Sequence, residues 1–211
     1  ATCGAGVGTA TSVPGQGVGK LLLKVEDNKG QLVDRGIDLF NADFDFVKTM
    51  GMEIVQGRDF SRDVSSDTTY AVLVNEAMVK RMAWDDPIGK KFIFQGGDEP
   101  DVEKRVVGVL KDYHQNSLYD AIEPIMVILN DENYFVLVRT EEGDIKQSLA
   151  AVENVWKELF PNNTFQFEFL DQDFNSQYTA DEKRSLIFTV FSSLTIAIAC
   201  LGLLGLAAFT T

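Results

Sequence analysis

The sequence predicts an α+β domain with mixed sheets, followed by a long C-terminal helix whose second half is apolar. Short β-rich runs are separated by turn residues, and amphipathic helical segments alternate with those runs. The charge distribution supports this division into a domain and an apolar tail, because all of the 19 basic and 32 acidic residues of the 211-residue chain lie at or before Arg184. The charged part suits a folded domain in water, and the uncharged tail does not.

The N-terminal part of the chain predicts a β-hairpin. Residues 1–19 are rich in Gly, Ala, Thr and Ser, and they suit either a flexible leader or a weak strand. Residues 20–26 and 31–40 are β-rich and flank Asn28-Lys29-Gly30, a favourable hairpin turn. A short helix is expected at 44–50, followed by a strand at 52–55 that ends near Gly57.

The middle of the chain predicts further strands around one short helix. A strand at 70–74 precedes Asn75, which can cap a helix with Ala77, Met78 and Met82 on its inner side. The remaining strands are expected at 91–95, 104–111, 125–129 and 134–139.

The clearest helical pattern covers residues 145–160. Asp144 can cap this helix, Gln147 completes a capping box, and Pro161 ends the helix. Residues 164–170 alternate Phe with other residues, which predicts a strand with an aromatic face. The stripe of the helix expected to be buried comprises Ile145, Leu149, Val152, Trp156 and Leu159.

The C-terminal segment predicts a rod that enters a membrane. Residues 171–201 contain neither Gly nor Pro, and Asp171 or Asp173 can cap a helix there. Residues 186–209 are uncharged and would span about 36 Å as a helix, against about 30 Å of hydrocarbon. A buried core helix is the less favoured alternative. A stiff helix shared between water and lipid can transmit displacement, which a flexible linker would not.

Several chemistries are disfavoured by the residues. The net charge of −13 opposes nucleic-acid binding. The Gly-rich stretch 15–20 has Pro14 and Leu21 where a phosphate-binding loop needs Gly and Ser or Thr. His114 is the single histidine and is more typical of a structural or surface residue than of a catalytic group.

Other polar and reactive residues also favour structural roles. The carboxylate pairs Asp43/Asp45 and Asp171/Asp173 lack the further oxygen ligands that calcium requires. Asn162-Asn163-Thr164 matches a glycosylation pattern but favours a turn, and Cys3 and Cys200 do not suit a disulfide or metal site. We therefore predict no catalytic, cofactor-binding or metal-ligating residue, no cofactor, and no enzyme activity.

Four segments of the chain resemble a known family. They are Gly57-Arg58-Asp59-Phe60, residues 72–92 (VLVNEAMVKRMAWDDPIGKKF), residues 106–118 (VVGVLKDYHQNSL) and residues 156–178 (WKELFPNNTFQFEFLDQDFNSQY). In this order they are similar to the MacB-like periplasmic core domain of Bacteroidetes-type ABC transporter permeases. Residues 181–209 resemble the start of the FtsX-like permease region.

The resemblance implies a particular organisation. A porter-like βαβ subdomain would comprise residues 1–42 and 130–170, interrupted by a mostly β inserted subdomain at 43–129. A stalk helix at 171–185 and a transmembrane helix at 186–209 would follow. The domain would face the periplasm from the inner membrane, and the chain would be a fragment of the permease.

The resemblance also implies partners and a function. Expected partners are a cytoplasmic ABC ATPase, a second permease copy and a periplasmic or outer-membrane protein. The domain would couple ATP-driven motion to periplasmic handling of a substrate or partner without catalysis. Alternatives are a membrane-anchored ligand-binding or sensor domain and, less favoured, a hydrolase that uses His114.

Overall fold

The computed structural model describes residues 6–96, 100–115, 121–130, 132–140, 145–170 and eight positions between 188 and 198. The chain divides into two compact units, Ala1–Gln166 and Phe167–Thr211. The first unit contains the α+β domain, so the predicted fold class is confirmed for it. Its strands are β1 Gly6–Ala10, β2 Gly19–Glu26, β3 Leu32–Ala42, β4 Ile54–Gly57, β5 Ala71–Asn75, β6 Lys91–Phe94, β7 Val102–Leu110, β8 Ile125–Leu129 and β9 Phe135–Arg139. Its helices are α1 Phe46–Met50, α2 Asp67–Tyr70, α3 Glu76–Met82 and α4 Ile145–Leu159.

Six of the strands close into a barrel. The hydrogen-bonded order is β2-β6-β7-β5-β8-β3, and β3 pairs with β2 to complete the circle. The β5–β7 and β3–β8 pairs are parallel, and the other four pairs are antiparallel. The predicted hairpin is confirmed as the β2–β3 pair, which has eight residue pairs in register from Gly19↔Leu39 to Glu26↔Leu32.

The barrel is filled by an inner hydrophobic core to which each of its six strands contributes. Period-two alternation turns Val72 and Val74 of β5 inward, and both are fully buried. Helix α3 adds Met78 and Met82, and the Trp84 indole after it donates a hydrogen bond to the Glu26 carbonyl at 2.8 Å. The helix therefore connects the C-terminal end of β5 to β2.

The remaining strands lie outside the barrel. Strands β1 and β9 pair antiparallel over five residue pairs, and we call this two-stranded unit the ribbon. One residue pair, Ala10↔Ala42, joins the ribbon to β3. An outer hydrophobic core packs between the ribbon, α1 and the outward face of the barrel, and it includes Phe40, Phe46 and Leu73.

Two predictions need correction, and one open alternative is resolved. The Gly-rich N-terminal segment contains strand β1, so of its two interpretations the strand is correct. Helix α4 forms as predicted, but none of its residues is buried, and Ile145 and Leu159 are 55% and 66% exposed. Residues 164–169 are not a strand; Trp156 instead packs against Phe160 and Phe165 with ring centroids 4.8 and 6.1 Å apart.

Two smaller differences concern residues 52–75. The predicted strand at 52–55 begins and ends two residues later, as β4. The short helix α2 was not predicted, and it occupies the four residues immediately before β5.

The described part of the second unit contains helical positions between residues 188 and 198. Phe188, Phe191, Ile196 and Ile198 are between 61% and 72% exposed. Ser193 and Thr195 donate hydrogen bonds to carbonyls four residues earlier. No helix within the described positions is both long enough and apolar enough to span a membrane.

Candidate functional site

His114 lies half-buried in the loop after β7, among residues with structural partners. Asp112 accepts hydrogen bonds from the Ala77 backbone N–H at 2.7 Å and from the Lys80 ammonium at 2.9 Å. Among the described residues, no group of three or more His, Cys, Asp or Glu side chains could hold a metal ion. The surroundings of His114 therefore connect loops to α3.

The other sequence candidates also have structural partners. The Gly15 N–H donates to the Gln115 carbonyl at 2.7 Å. Asp45 pairs with Arg62 at 2.6 Å, and Asp43 accepts a hydrogen bond from the Asp45 backbone N–H. A turn forms at residues 161–163, one residue before the predicted turn at Asn162-Asn163-Thr164. Cys3, Asp144, Asp171, Asp173 and Cys200 lie outside the described residues.

An ion pair with a buried carboxylate stabilises the segment that follows β4. Arg58 donates two hydrogen bonds to Asp67, at 2.6 and 2.8 Å, and the Ser61 backbone N–H donates a third at 2.9 Å. Asp67 is 2% exposed. The Arg58 hydrogen bonds lower the pKa of the Asp67 carboxyl, although burial opposes this shift. Bidentate geometry with a buried carboxylate fixes the loop against α2.

The same segment lies against strand β7, and two glycines permit the close approach. Gly57 has a positive φ of 76°, and a β-carbon there would collide with the Val107 carbonyl oxygen. A β-carbon on Gly108 would collide with the Arg58 carbonyl oxygen and lie 2.9 Å from the Leu73 side chain. The Arg58 N–H donates to the Val107 carbonyl at 3.0 Å. Only glycine permits this close approach of two backbones.

Asn75 joins three elements at the end of β5. It is fully buried, and its side-chain oxygen accepts hydrogen bonds from the Met78 N–H at 3.1 Å and the Ile125 N–H at 3.0 Å. Its amide donates to the Glu123 carbonyl at 2.9 Å. The predicted cap is confirmed, and the same side chain also fixes the start of β8, which local sequence did not reveal.

Gln115 connects the loop after β7 to the segment between β1 and β2. Its amide nitrogen donates to the Ser12 hydroxyl, the Val13 carbonyl and the Gln16 carbonyl at 2.9 to 3.2 Å. Tyr113, two residues earlier, packs against the outer core, and burial raises the pKa of its phenol. These contacts bring residues about a hundred positions apart into one structural unit.

A shallow depression opens where two parallel strands end. Its volume is about 190 Å³, and it is lined by Ala42, Asp43, Phe44, Thr68, Leu129 and Asn130. Small-molecule sites commonly have about 300–1,000 Å³ and mainly apolar walls. This depression therefore does not support the predicted alternative of a ligand-binding sensor.

The cross-connections coincide with the segments that carry the family resemblance. Arg58, Asn75 and Gln115 belong to three of those four segments, and each joins elements distant in the chain. Their side chains are occupied by structural partners. The arrangement can hold a barrel together and set the position of its loops.

A comparison with known families decides the relationship. The family described as the MacB-like periplasmic core domain matches residues 10–158. The chain belongs to this family. This match confirms the predicted family. The MacB-like domain is the periplasmic core domain of an ABC transporter permease of the MacB type. A search of curated protein sequences finds no significant match.

Solved structures share the fold of this MacB-like domain. The periplasmic region of MacB from Actinobacillus actinomycetemcomitans is 14% identical, with a TM-score of 0.53 over 75% of this chain and 69% of that one. The extracellular domain of the noncanonic ABC-type transporter YknZ from Gram-positive bacteria is 16% identical, with a TM-score of 0.53 over 77% and 79%. A domain assigned to a permease of Porphyromonas gingivalis is 20% identical, with a TM-score of 0.51 over 74% and 65%.

Proposed function

We propose that this domain is a non-catalytic mechanical part of the permease, which couples motion driven by a cytoplasmic ATPase to the handling of a periplasmic substrate or partner. The observation that carries the proposal is the position of Arg58, Asn75 and Gln115. These side chains, which are buried or form bidentate hydrogen bonds, connect the elements and loops of a closed barrel. A closed, filled barrel deforms little and therefore moves as a body.

The connection to the membrane is the second part of the proposal. The uninterrupted segment 171–185 would form a stalk, and residues 186–209 would cross the inner membrane. The exposed apolar side chains at helical positions between 188 and 198 support this assignment, because such side chains suit lipid better than water. The barrel would then face the periplasm.

The proposed partners follow from the family. A cytoplasmic ABC ATPase would supply the motion, a second permease copy would complete a dimer, and a periplasmic or outer-membrane protein would receive the displacement. We retain the division into a porter-like part, residues 1–42 and 130–170, and an inserted part, residues 43–129, as a further proposal. Strands β2 and β3 of the first part share the barrel with β5–β8 of the second.

The decisive experiment changes the stiffness of the stalk at constant length. Residues 177–180 are replaced by four glycines in one variant and by four alanines in the matched control, within the full permease and its ATPase. A spin label at Lys29→Cys reports the distance between the two copies with and without trapped ATP. Glycine should abolish the ATP-dependent change while ATP hydrolysis continues, and alanine should preserve it, because alanine retains the helix.

Two results would contradict the proposal. The first is an ATP-dependent distance change of equal size in both variants, which would show that stalk stiffness is irrelevant. The second is the absence of any ATP-dependent change in the unsubstituted permease.

A further inference from the structure

The ribbon and the barrel meet through a narrow connection. Besides Ala10↔Ala42, the backbone bonds at this point are Thr11 N–H to the Asn41 carbonyl and Asp43 N–H to the Thr9 carbonyl, both 2.9 Å. By contrast, β2 and β3 share eight residue pairs within the barrel. The chain enters and leaves the barrel region through the ribbon, since β1 is the first described strand and β9 precedes α4. Force arriving through the chain ends therefore reaches the ribbon before the barrel.

Helix α1 lies directly against the ribbon on a surface made by two glycines. A β-carbon on Gly8 would lie 3.1 Å from the Phe46 Cα, and one on Gly6 would lie 3.0 Å from the Thr49 hydroxyl. At the C-terminal end of α1, the Arg139 guanidinium of β9 covers Gly51 and reaches the Lys48 carbonyl at 3.4 Å. A cation at this end also interacts favourably with the helix dipole. Helix α1 is thus attached to the ribbon along its length.

The opposite end of α1 joins the barrel through the short link 43–45 to β3 and through buried Phe46, and an arginine adds to these contacts. Asp45, immediately before the helix, accepts two hydrogen bonds from Arg62 at 3.2 and 2.6 Å. The Arg62 guanidinium also lies 4.9 Å from the centroid of the Phe44 ring. Arg62 belongs to the loop that the Arg58–Asp67 ion pair fixes against α2, which leads directly into β5 of the barrel. Each end of α1 is therefore held by an arginine from a different part of the molecule.

We infer that α1 is a strut that sets the angle between ribbon and barrel, and that the Arg62–Asp45 ion pair, in addition to the link to β3 and the buried contacts of the outer core, fixes the orientation of its N-terminal end. With the pair formed, displacement of the ribbon passes through α1 to the barrel. With the pair broken, α1 keeps its buried contacts, but its N-terminal end is less constrained and the ribbon tilts about Ala10 and Ala42. This inference rests on the proposed function for its purpose, but it concerns a property of the chain alone.

The chain supplies a matched control for this ion pair. Arg105 pairs with Glu103 at 2.6 Å, the distance found for Arg62 and Asp45, and the exposures of the two pairs are similar: 53% and 38% against 62% and 42%. Arg105 and Glu103 both lie on β7, within the barrel. Because both pairs are exposed, breaking either one should change global stability little. The Arg62–Asp45 pair joins the residue before α1 to a separate loop, whereas the Arg105–Glu103 pair, in which Glu103 also pairs with Lys91, lies within the barrel wall.

The experiment measures two distances by pulsed electron paramagnetic resonance in the 211-residue chain, with Cys3 and Cys200 replaced by Ser. Labels at Val136→Cys and Lys29→Cys report ribbon against barrel, and labels at Lys29→Cys and Val102→Cys report the barrel alone. Arg62→Ala should broaden and displace the first distribution and leave the second unchanged. Arg105→Ala should leave both unchanged, and Asp45→Asn should reproduce Arg62→Ala.

An unchanged ribbon-to-barrel distribution in Arg62→Ala and Asp45→Asn would overturn the inference. So would an equal change in Arg105→Ala, which would indicate general loosening. Far-ultraviolet circular dichroism verifies that each variant is folded, and Asp45→Asn replaces Arg62→Ala if the latter unfolds. No ATPase is present in this experiment, so its failure leaves the result of the stalk experiment intact.

Discussion

The barrel and helix α4 represent opposite ways in which apolar side chains are used in this domain. In the barrel, Val72, Val74 and Phe92 are fully buried, and hydrogen bonds from Asn75 and Arg58 cross between elements. In α4, the predicted apolar stripe leaves Ile145 55% exposed and Leu159 66% exposed. An amphipathic sequence identifies the apolar face of an element, whereas tertiary contacts determine how far that face is buried.

Under the proposed function, this difference would give the barrel and the ribbon separate mechanical roles. The barrel owes its stiffness to packing and to polar bridges that leave few independent motions. The ribbon is joined to it by one residue pair and by the strut α1. Stability should therefore be concentrated in the barrel, and substitutions there should have larger effects than those in α4.

The largest effect should come from Gly108→Ala. The added methyl group would meet the Arg58 carbonyl oxygen and the Leu73 side chain, and the backbone atoms cannot move aside cheaply. We expect a loss of about 3 kcal/mol or more in the free energy of unfolding, measured by urea titration. Gly17→Ala is the control, because nothing lies within 4 Å of the added group. Equal stability of the two variants would contradict the close approach of the Arg58 and Gly108 backbones.

A smaller, pH-dependent effect should follow from Asp67→Asn. The Arg58 hydrogen bonds lower the native pKa of Asp67 below its reference value of 3.8. The stabilisation is therefore fully present above the unfolded pKa and is lost as the pH falls through the native pKa. Asparagine should lower the free energy of unfolding by about 1–2 kcal/mol at pH 7. This loss is smaller than the loss expected from breaking a fully buried ion pair, because Arg58 is partly exposed and can rehydrate.

The measurement for Asp67 is urea unfolding between pH 7 and pH 2. The difference between the native chain and Asp67→Asn should shrink as the pH falls below about 4. Asp63→Asn, an exposed carboxylate in the same loop, should leave stability unchanged. A difference independent of pH would show that the Asp67 charge does not stabilise the loop.

The smallest effect should come from Val155→Ser in α4. Val155 is 55% exposed, so the free energy of unfolding should change by less than about 0.5 kcal/mol. Val74→Ser, the same change at a fully buried position of β5, should cost about 3 kcal/mol. Thermal unfolding of the two variants compares the regions directly. A large loss from Val155→Ser would show that α4 is buried in solution.

Local sequence predicted the elements that local chemistry determines. The turn at Asn28-Lys29-Gly30 defined the β2–β3 hairpin, and Asn75 marked the start of α3. The closure of the barrel was not predictable, because the β2–β6 and β3–β8 pairs join residues far apart in the chain. The roles of Gly57 and Gly108 were equally hidden, since only the folded backbone shows which carbonyl lies beside each glycine.

The two failures of prediction have a shared physical reason. The alternation of Phe165, Phe167 and Phe169 suits a strand, but these residues have no paired strand beside them in the described structure. The stripe of α4 suits a buried helix, but its residues remain at least partly exposed. In both places the sequence pattern indicates apolar faces, while burial and pairing depend on neighbours that the pattern does not specify.

The central claim is that the barrel moves as one body when the transporter hydrolyses ATP. The most direct test measures two distances in the assembled permease and ATPase, before and after ATP is trapped. The distance from Lys29→Cys to Val102→Cys within one barrel should stay constant, while the distance between the Lys29→Cys labels of two copies should change. A change within the barrel, or no change between the copies, would contradict the claim.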